Sequence, residues 1–402
     1  MSRAGSLIKS SRAAPVPFIS YGFALVLVTC TVWSVDATSP ALPSMQDDFG
    51  LSAAAAGLIV SFLFVGRLIG NFPAPRLLDS LGSPRTASMG GVLLVAGASI
   101  NLFAPTVEVL YVGRVLQGAG ISLLVNAGLR SILVARPGRG VAMTQYGIAA
   151  TVGGVLGLQS GGLLTGHFGW RSIFALSASL GIFLIILPMI STQASRRSTQ
   201  QTEAAATAAN VLPIPLRSYL PPLLVNFLIF GNYSIWVILP LYAQQTFDAT
   251  PEVTANLLLI ITITHLAAAI PVSRAIRRVG APRVLVVSVV FAGIGAVSVL
   301  LAPSLWWLAI PLIFYGAGMV GSVNCAGDIV LQRGGASARA VGSLRQTSDL
   351  GLVVGPLLAG VITDAFSYDA AFLFFPAIMI CAAVVGIAVP GGLVPRNAPE
   401  AV

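Results

Sequence analysis

Charge is what this sequence has least of. Asp, Glu, Lys and Arg make up 9% of its 402 residues, against about 25% in a soluble domain. That scarcity excludes a soluble globular fold. Histidine is rarer still, with two residues, and there are three cysteines. The two histidines, His167 and His265, are not spaced as metal ligands. Cys30, Cys325 and Cys381 lack metal-type spacing, are odd in number and fall in apolar stretches, so they read as packing residues without a disulfide. The sequence holds no His/Cys/Glu cluster, no Ser–His–Asp set and no nucleotide loop. Short glycine runs such as Gly118-Ala-Gly120 lie inside apolar segments and cannot cradle phosphate. An enzyme is not expected, nor is a bound metal or cofactor. Residues 1–16 carry no cleavage pattern, so the first apolar segment is expected to be retained.

What is abundant is uninterrupted apolar length. Hydrophobic residues reach 56% and the mean hydropathy is +0.90. A spanning helix needs about 20 apolar residues, so the chain has room for about twelve. Runs such as GVLLVAGASINLFAP and ALSASLGIFLIILPMI lack the roughly ten-residue alternation of a membrane barrel. The expectation is an all-α polytopic membrane protein with twelve spans, the first near residues 17–41.

The net charge of +9 is distributed as a topology signal. With twelve spans, the arginines around the even-numbered turns and in both tails fall on one side. The other side holds Arg171 among Asp47, Asp48, Glu108, Asp248, Glu252 and Asp369. This positive-inside bias places both termini in the cytoplasm. It names the lipid bilayer as partner and excludes nucleic acid.

The chain is also duplicated. PAPRLLDSLGSPR at 73–85 returns as PVSRAIRRVGAPR at 271–283, an offset of 198 positions. The register continues through Gly118/Gly316, Asn126/Asn324, Gly153/Gly351, Gly157/Gly355 and Thr165/Thr363. The division is a tail at 1–16, a six-helix half at 17–193, a polar linker at 194–216, a second half at 217–394 and a tail at 395–402. Parallel six-helix repeats are a transporter architecture with the substrate site near the midplane, between the halves.

Several segments resemble the major facilitator superfamily. Leu77, Asp79, Gly82 and Arg85 fit its loop 2–3 signature, G-x-L-x-D-R-x-G-R-R. Arg114-Val-Leu-Gln117-Gly118 is similar to the R-x-x-Q-G signature of the fourth helix. Gly153, Gly157, Gly161 and Gly162 resemble the fifth-helix antiporter signature, although Leu158 replaces its proline. VDATSPALPSM in the first span is similar to the D-x-x-x-P-x-L-P segment of the twelve-helix drug:proton antiporters, including bicyclomycin-resistance-like members. The resemblance implies the major facilitator fold and a monomeric, multi-pass protein of a bacterial inner (plasma) membrane. It also implies export of small organic compounds or drugs in exchange for protons by alternating access.

Ionisable residues inside a span usually face a cavity. Asp36 and Arg114 lie at matching depths in the first and fourth spans, and the resemblance implies that both line the central cavity. Desolvation favours a neutral carboxyl, whereas a nearby cation favours the charged one. Asp36 is therefore a candidate for exchanging protons or binding cationic substrate, with Arg114 setting its affinity. The alternative is a static Asp36–Arg114 ion pair. Trp33, Gln117, Asn126, Asn232, Tyr233, Trp236 and Asn324 are candidate cavity residues, alternatively helix-packing or lipid-facing ones. Arg67 is expected to snorkel to the cytoplasmic interface, with a cytoplasmic-gate role as the alternative. Gly153, Gly157 and Gly161 share one face, as do Gly351 and Gly355; they permit close helix packing, static or gating.

One repeated position changes sign. Asp79 returns as Arg277, while Arg130 returns as Asp328. One salt bridge per half, Asp79–Arg130 and Arg277–Asp328, accounts for the paired exchange. The resemblance offers Asp79 a rival contact at the start of the eleventh helix, near Arg345 and Asp349. The expected outcome is an asymmetric cytoplasmic latch, stronger between Asp79 and that helix. The leading function is proton-coupled efflux of small amphipathic compounds. The alternatives are a metabolite exporter or importer of the same fold and, from another class, a non-transporting sensor or enzyme.

Overall fold

The computed structural model describes residues 16–135, 139–195, 216–334 and 338–388. Residues 1–15 of the expected tail at 1–16, residues 196–215 of the expected linker at 194–216, the end of the expected second half from 389 and the expected tail at 395–402 lie outside the described residues. The chain is a polytopic helical membrane protein of twelve spans in two six-helix halves. Eleven described stretches are long and apolar enough to cross a membrane. The twelfth, 83–102, is diluted by Ser83, Arg85, Thr86, Ser88 and Asn101. Large apolar side chains such as Ile182, Ile263 and Leu373 are exposed on the outer surface, as a bilayer requires.

The first half comprises α1 (Tyr21–Asp36), α2 (Leu42–Phe49), α3 (Ala53–Asn71), α4 (Ala74–Leu102), α5 (Val107–Ala135), α6 (Arg139–Phe168) and α7 (Arg171–Ile190). The second comprises α8 (Leu216–Gly231), α9 (Ile235–Phe247), α10 (Pro251–Val279), α11 (Ala281–Ser298), α12 (Ala309–Gly334), α13 (Ala338–Ala365) and α14 (Tyr368–Ala388).

The first span of each half is broken. Between α1 and α2 lies a 3₁₀ turn at Ser39–Ala41, where Pro40 and Pro43 cannot donate helical hydrogen bonds. Between α8 and α9 lies another at Asn232–Ser234. There the Asn232 amide donates to Leu228 O at 3.0 Å and the Ser234 hydroxyl to Gly231 O at 2.9 Å. Such local bonds compete with regular helix. Asp36 ends α1 at one break, and Tyr233 sits within the other.

The repeated glycine of the opening motif has a backbone reason. Gly82 has φ 78° and Gly280 φ 88°, a region glycine enters without a Cβ penalty. Each turns the chain sharply, and Pro84 and Pro282 then stand near the start of the next helical run. One departure from expectation occurs at the beginning. Residues 17–19 were expected in the first span, yet Val16–Ile19 forms β1, antiparallel to β2 (Thr192–Ser195). The Ile19 amide donates to Ser131 Oγ at 3.2 Å.

Within the halves, α1 packs on α6 and α8 on α13; between them, α3 packs on α13 and α6 on α10. Both sets obey the repeat. A Cβ on Gly157 would lie 2.8 Å from Trp33 O, and one on Gly351 would lie 2.9 Å from the Phe230 side chain. Gly153 and Gly161 meet the α1 backbone at Thr29 and Ala37, and Gly355 meets Gly231. These glycines therefore seat each half's fifth span, α6 or α13, on its own first helix, not on the opposite half. The close approaches between halves use other glycines: Gly57 against Pro356, Gly162 against Pro251 and Gly360 against Ala53 and Ala54.

Candidate substrate cavity and its closures

The two helix breaks open onto one cavity of about 250 Å³. The first half supplies Asp36 and Ser39 beside α1, Val60 and Phe64 on α3, Arg114 on α5, and Thr151 and Gly154 on α6. The second half supplies Tyr233, Trp236, Thr262 and His265. The cavity therefore lies between the halves, where broken helices expose backbone and polar groups in transporters.

Its aromatic wall is continuous. Phe230 stacks on Tyr233 with ring centroids 5.4 Å apart, and Tyr233 lies 5.4 Å from Trp236. Trp236 and His265 are stacked at 6.2 Å, with 25° between their planes. These contacts fix the orientation of each ring. On the opposite wall, Gly154 leaves room for Asp36: a Cβ there would meet Asp36 Oδ2 at 2.7 Å.

Arg114 lines the cavity but is held by neutral groups. Its Nε donates to Ile59 O at 3.1 Å, and Nη1 donates to Gln117 Oε1 at 2.9 Å and Thr38 Oγ1 at 3.2 Å. Its guanidinium lies 5.9 Å from the Phe174 ring centroid. Asn101 Nδ2 also donates to Gln117 Oε1, at 3.1 Å, and Gln117 Nε2 donates to Ser177. The ion pairs among the described residues do not join Arg114 to Asp36. The static pair considered from sequence is thus absent in this conformation. Neutral oxygens thus accept from Nε and Nη1 of Arg114, which is 1% exposed.

Of the other candidate cavity residues, Tyr233 and Trp236 line the space. Trp33 instead points toward α6, where its Nε1 donates to Ser160 Oγ at 2.7 Å. Gln117 is buried in the Arg114 network, and Asn232 is buried in the helix break, with Tyr315 donating to its carbonyl at 2.6 Å. Asn324 is half-buried and outside the lining. Asn126 belongs to a closure between the halves.

That closure lies at the arginine-rich end. Arg67 Nη2 and Asp349 Oδ1 form an ion pair at 2.9 Å, and Asn71 Nδ2 donates to Asp349 Oδ2 at 2.8 Å. Asn71 Oδ1 accepts from Ser122 Oγ at 2.6 Å and Asn126 Nδ2 at 3.0 Å. Arg345 Nη1 donates to Asn126 Oδ1 at 3.1 Å. Arg67 therefore bridges the halves, which favours the gate alternative over the snorkelling preferred for it from sequence. Its signal in the sequence is a charge inside an apolar span.

Asp79 pairs with Arg130, at 2.8 Å. At this end Asp349, not Asp79, is the acid that joins helix eleven, α13, to the first half. Arg85 and Arg277 are exposed, and no ion pair among the described residues joins Arg277 to Asp328. The expected symmetry of one loop bridge per half fails because the second copy does not pair these residues in this conformation.

The opposite end has its own closure, which sequence reading missed. Asp364 at the end of α13 accepts from Ala53 N at 2.8 Å and Ala54 N at 2.9 Å. These are the first amides of α3, which have no helical acceptor, and a carboxylate is favoured there. Gln244 Nε2 also donates to Asp47 Oδ2 at 2.7 Å across the halves. No sequence rule pairs a C-terminal aspartate with a helix start some 310 residues away.

The sequence profile of the Major Facilitator Superfamily matches residues 23–333 and 223–401. The chain belongs to this superfamily. Among curated relatives, D-xylose-proton symporter-like 2 of Arabidopsis thaliana is 29% identical over 182 residues, 43% of this chain and 36% of that protein. Puromycin resistance protein pur8 of Streptomyces alboniger is 29% identical over 43% of this chain and 35% of its own length. The uridine/deoxyuridine transporter of Lactococcus lactis subsp. cremoris is 28% identical over 39% and 33%. The chain thus spans about a third of the length of these relatives. Among solved structures, the nucleoside transporter NupG matches with TM-score 0.74 at 14% identity, covering 92% of this chain and 98% of that one. The inward open xylose transporter XylE from E. coli matches with TM-score 0.74 at 14% identity, covering 94% and 97%. These likenesses show the shared major facilitator fold.

Proposed function

We propose that this protein is a secondary transporter that exports small amphipathic organic compounds in exchange for protons, using the cavity between its halves. The observation that carries this reading is the pairing of one carboxyl group, Asp36, with the aromatic wall of Tyr233 and Trp236. Aromatic faces attract cations, and apolar walls with few polar groups suit an amphipathic ligand. A carboxyl without an ion-pair partner among the described residues is available to a proton and to a cationic substrate in turn. The two would then compete for one site, which is the minimal basis of exchange. The relative named as a puromycin resistance protein agrees with export. The arginine distribution supports a bacterial inner membrane placement with both termini cytoplasmic. One chain encloses the cavity, which supports a monomeric transporter.

Sealed vesicles test this reading. Accumulation of a lipophilic amine in inverted vesicles should collapse with a protonophore and disappear in Asp36→Asn. Full, still proton-dependent transport by Asp36→Asn overturns the coupling role. Uptake of a metabolite is the second reading, favoured by the relatives named as xylose and uridine transporters. Proton-driven uptake of such a compound by right-side-out vesicles would select it.

A further inference from the structure

Asp36 stands on the first half. The wall facing the cavity from the second half holds an ionisable ring, His265 on α10, that coupling does not require. His265 stacks on Trp236 and meets Tyr233 edge-on, with centroids 6.2 and 6.3 Å apart. Its ring is therefore held at the cavity surface. Its Nε2 is buried and has no hydrogen-bond partner. A buried polar atom of a folded protein is normally paired, and the ring that carries this one lines the cavity, so a small rotation of the ring would present Nε2 to a ligand. A polar group brought by the ligand is the natural complement.

The surroundings limit what that ligand is. Ring faces at Tyr233 and Trp236 favour offset or edge-on contact with another ring. The volume of about 250 Å³ falls below the usual range of about 300–1,000 Å³ for drug-sized ligands. We propose that His265 is a specificity-determining residue that hydrogen-bonds the ring nitrogen of a small planar heterocycle, whose cationic arm points to Asp36. A neutral imidazole presents Nε2 as donor or acceptor according to tautomer, so the ring's bonding group selects the form. The substrate would then bridge the two halves, with its charge read by one and its ring atom by the other. This inference rests on the export reading for its site and adds the substrate class.

The experiment measures equilibrium binding to the full chain in lipid nanodiscs. The probes are 3-(aminomethyl)quinoline and 2-(aminomethyl)naphthalene, which share size and charge and differ in one ring atom. In His265→Phe the ratio of quinoline to naphthalene affinity should fall at least about fivefold, with naphthalene binding retained. That loss corresponds to one hydrogen bond. His265→Gln should recover part of the ratio. Asp36→Asn should weaken both probes alike. An unchanged ratio in His265→Phe overturns the specificity role and leaves the cavity assignment standing. Binding of neither probe by the unaltered protein overturns both. A general packing role for His265 would lower both affinities together, and that outcome also counts against the proposal.

Discussion

Arg67 on α3 and Asp349 on α13 form an ion pair across the two halves, 2.9 Å long, with the Asp349 side chain 2% exposed. It sits at the arginine-rich end, and Asn71 reinforces it. A bond to a charged group is worth about 1.5–3 kcal/mol, and about 1.4 kcal/mol is tenfold in an equilibrium. Asp349→Asn should therefore raise the population open at that end by roughly tenfold. The reporter is Thr151→Cys in a background lacking Cys30, Cys325 and Cys381, labelled by an impermeant thiol reagent from the arginine-rich side. Faster labelling is expected; an unchanged rate means that the pair does not hold the closure.

At the other end, Asp364→Ala removes both acceptors of the Ala53 and Ala54 amides. Caps of this kind contribute about 0.5–2 kcal/mol. The same cysteine should then label faster from the opposite side and more slowly from the arginine-rich side. A change of equal sign on both sides would indicate general loosening rather than a closure.

Gly154 faces the flexible end of the Asp36 side chain. Gly154→Ala should displace that carboxyl, because the added Cβ would meet Asp36 Oδ2 at 2.7 Å and no backbone atom. Proton-driven transport should drop severalfold. Normal transport would show that Asp36 tolerates movement and is not finely placed.

The Asp79–Arg130 pair is partly exposed, with side chains at 63% and 18%. Such a pair contributes at most about 1 kcal/mol. Asp79→Arg should impair transport by placing two cations together, and adding Arg130→Asp should restore it. The analogous exchange of Arg277 and Asp328 should give no mutual rescue. Rescue there would indicate that those residues pair in another conformation.

The fold was legible because a bilayer leaves few choices. Apolar length set the number of spans, and the 198-residue register set the two halves. Periodicity placed Gly153, Gly157 and Gly161 on one face, but it cannot say which helix the face meets. The loop motif identified Asp79 and Arg130 as partners because both sit in a duplicated, sign-exchanged pattern. The Asp349 and Asp364 contacts were hidden for a different reason. They join segments far apart in the chain: Ala53 and Ala54 carry no charge to mark them, and the charge of Arg67 does not say which distant acid it meets. Depth alone suggested a direct Asp36–Arg114 bond, whereas the structure satisfies Arg114 with the Ile59 carbonyl, Thr38 and Gln117.

The short ribbon of Val16–Ile19 with Thr192–Ser195 brings the entrance and exit of the first half together. Paired strands lie about 4.8 Å apart. A six-helix unit whose ends meet hands the chain on from the place where it received it, so a second unit can follow in tandem without any strand threading back between the first unit's helices.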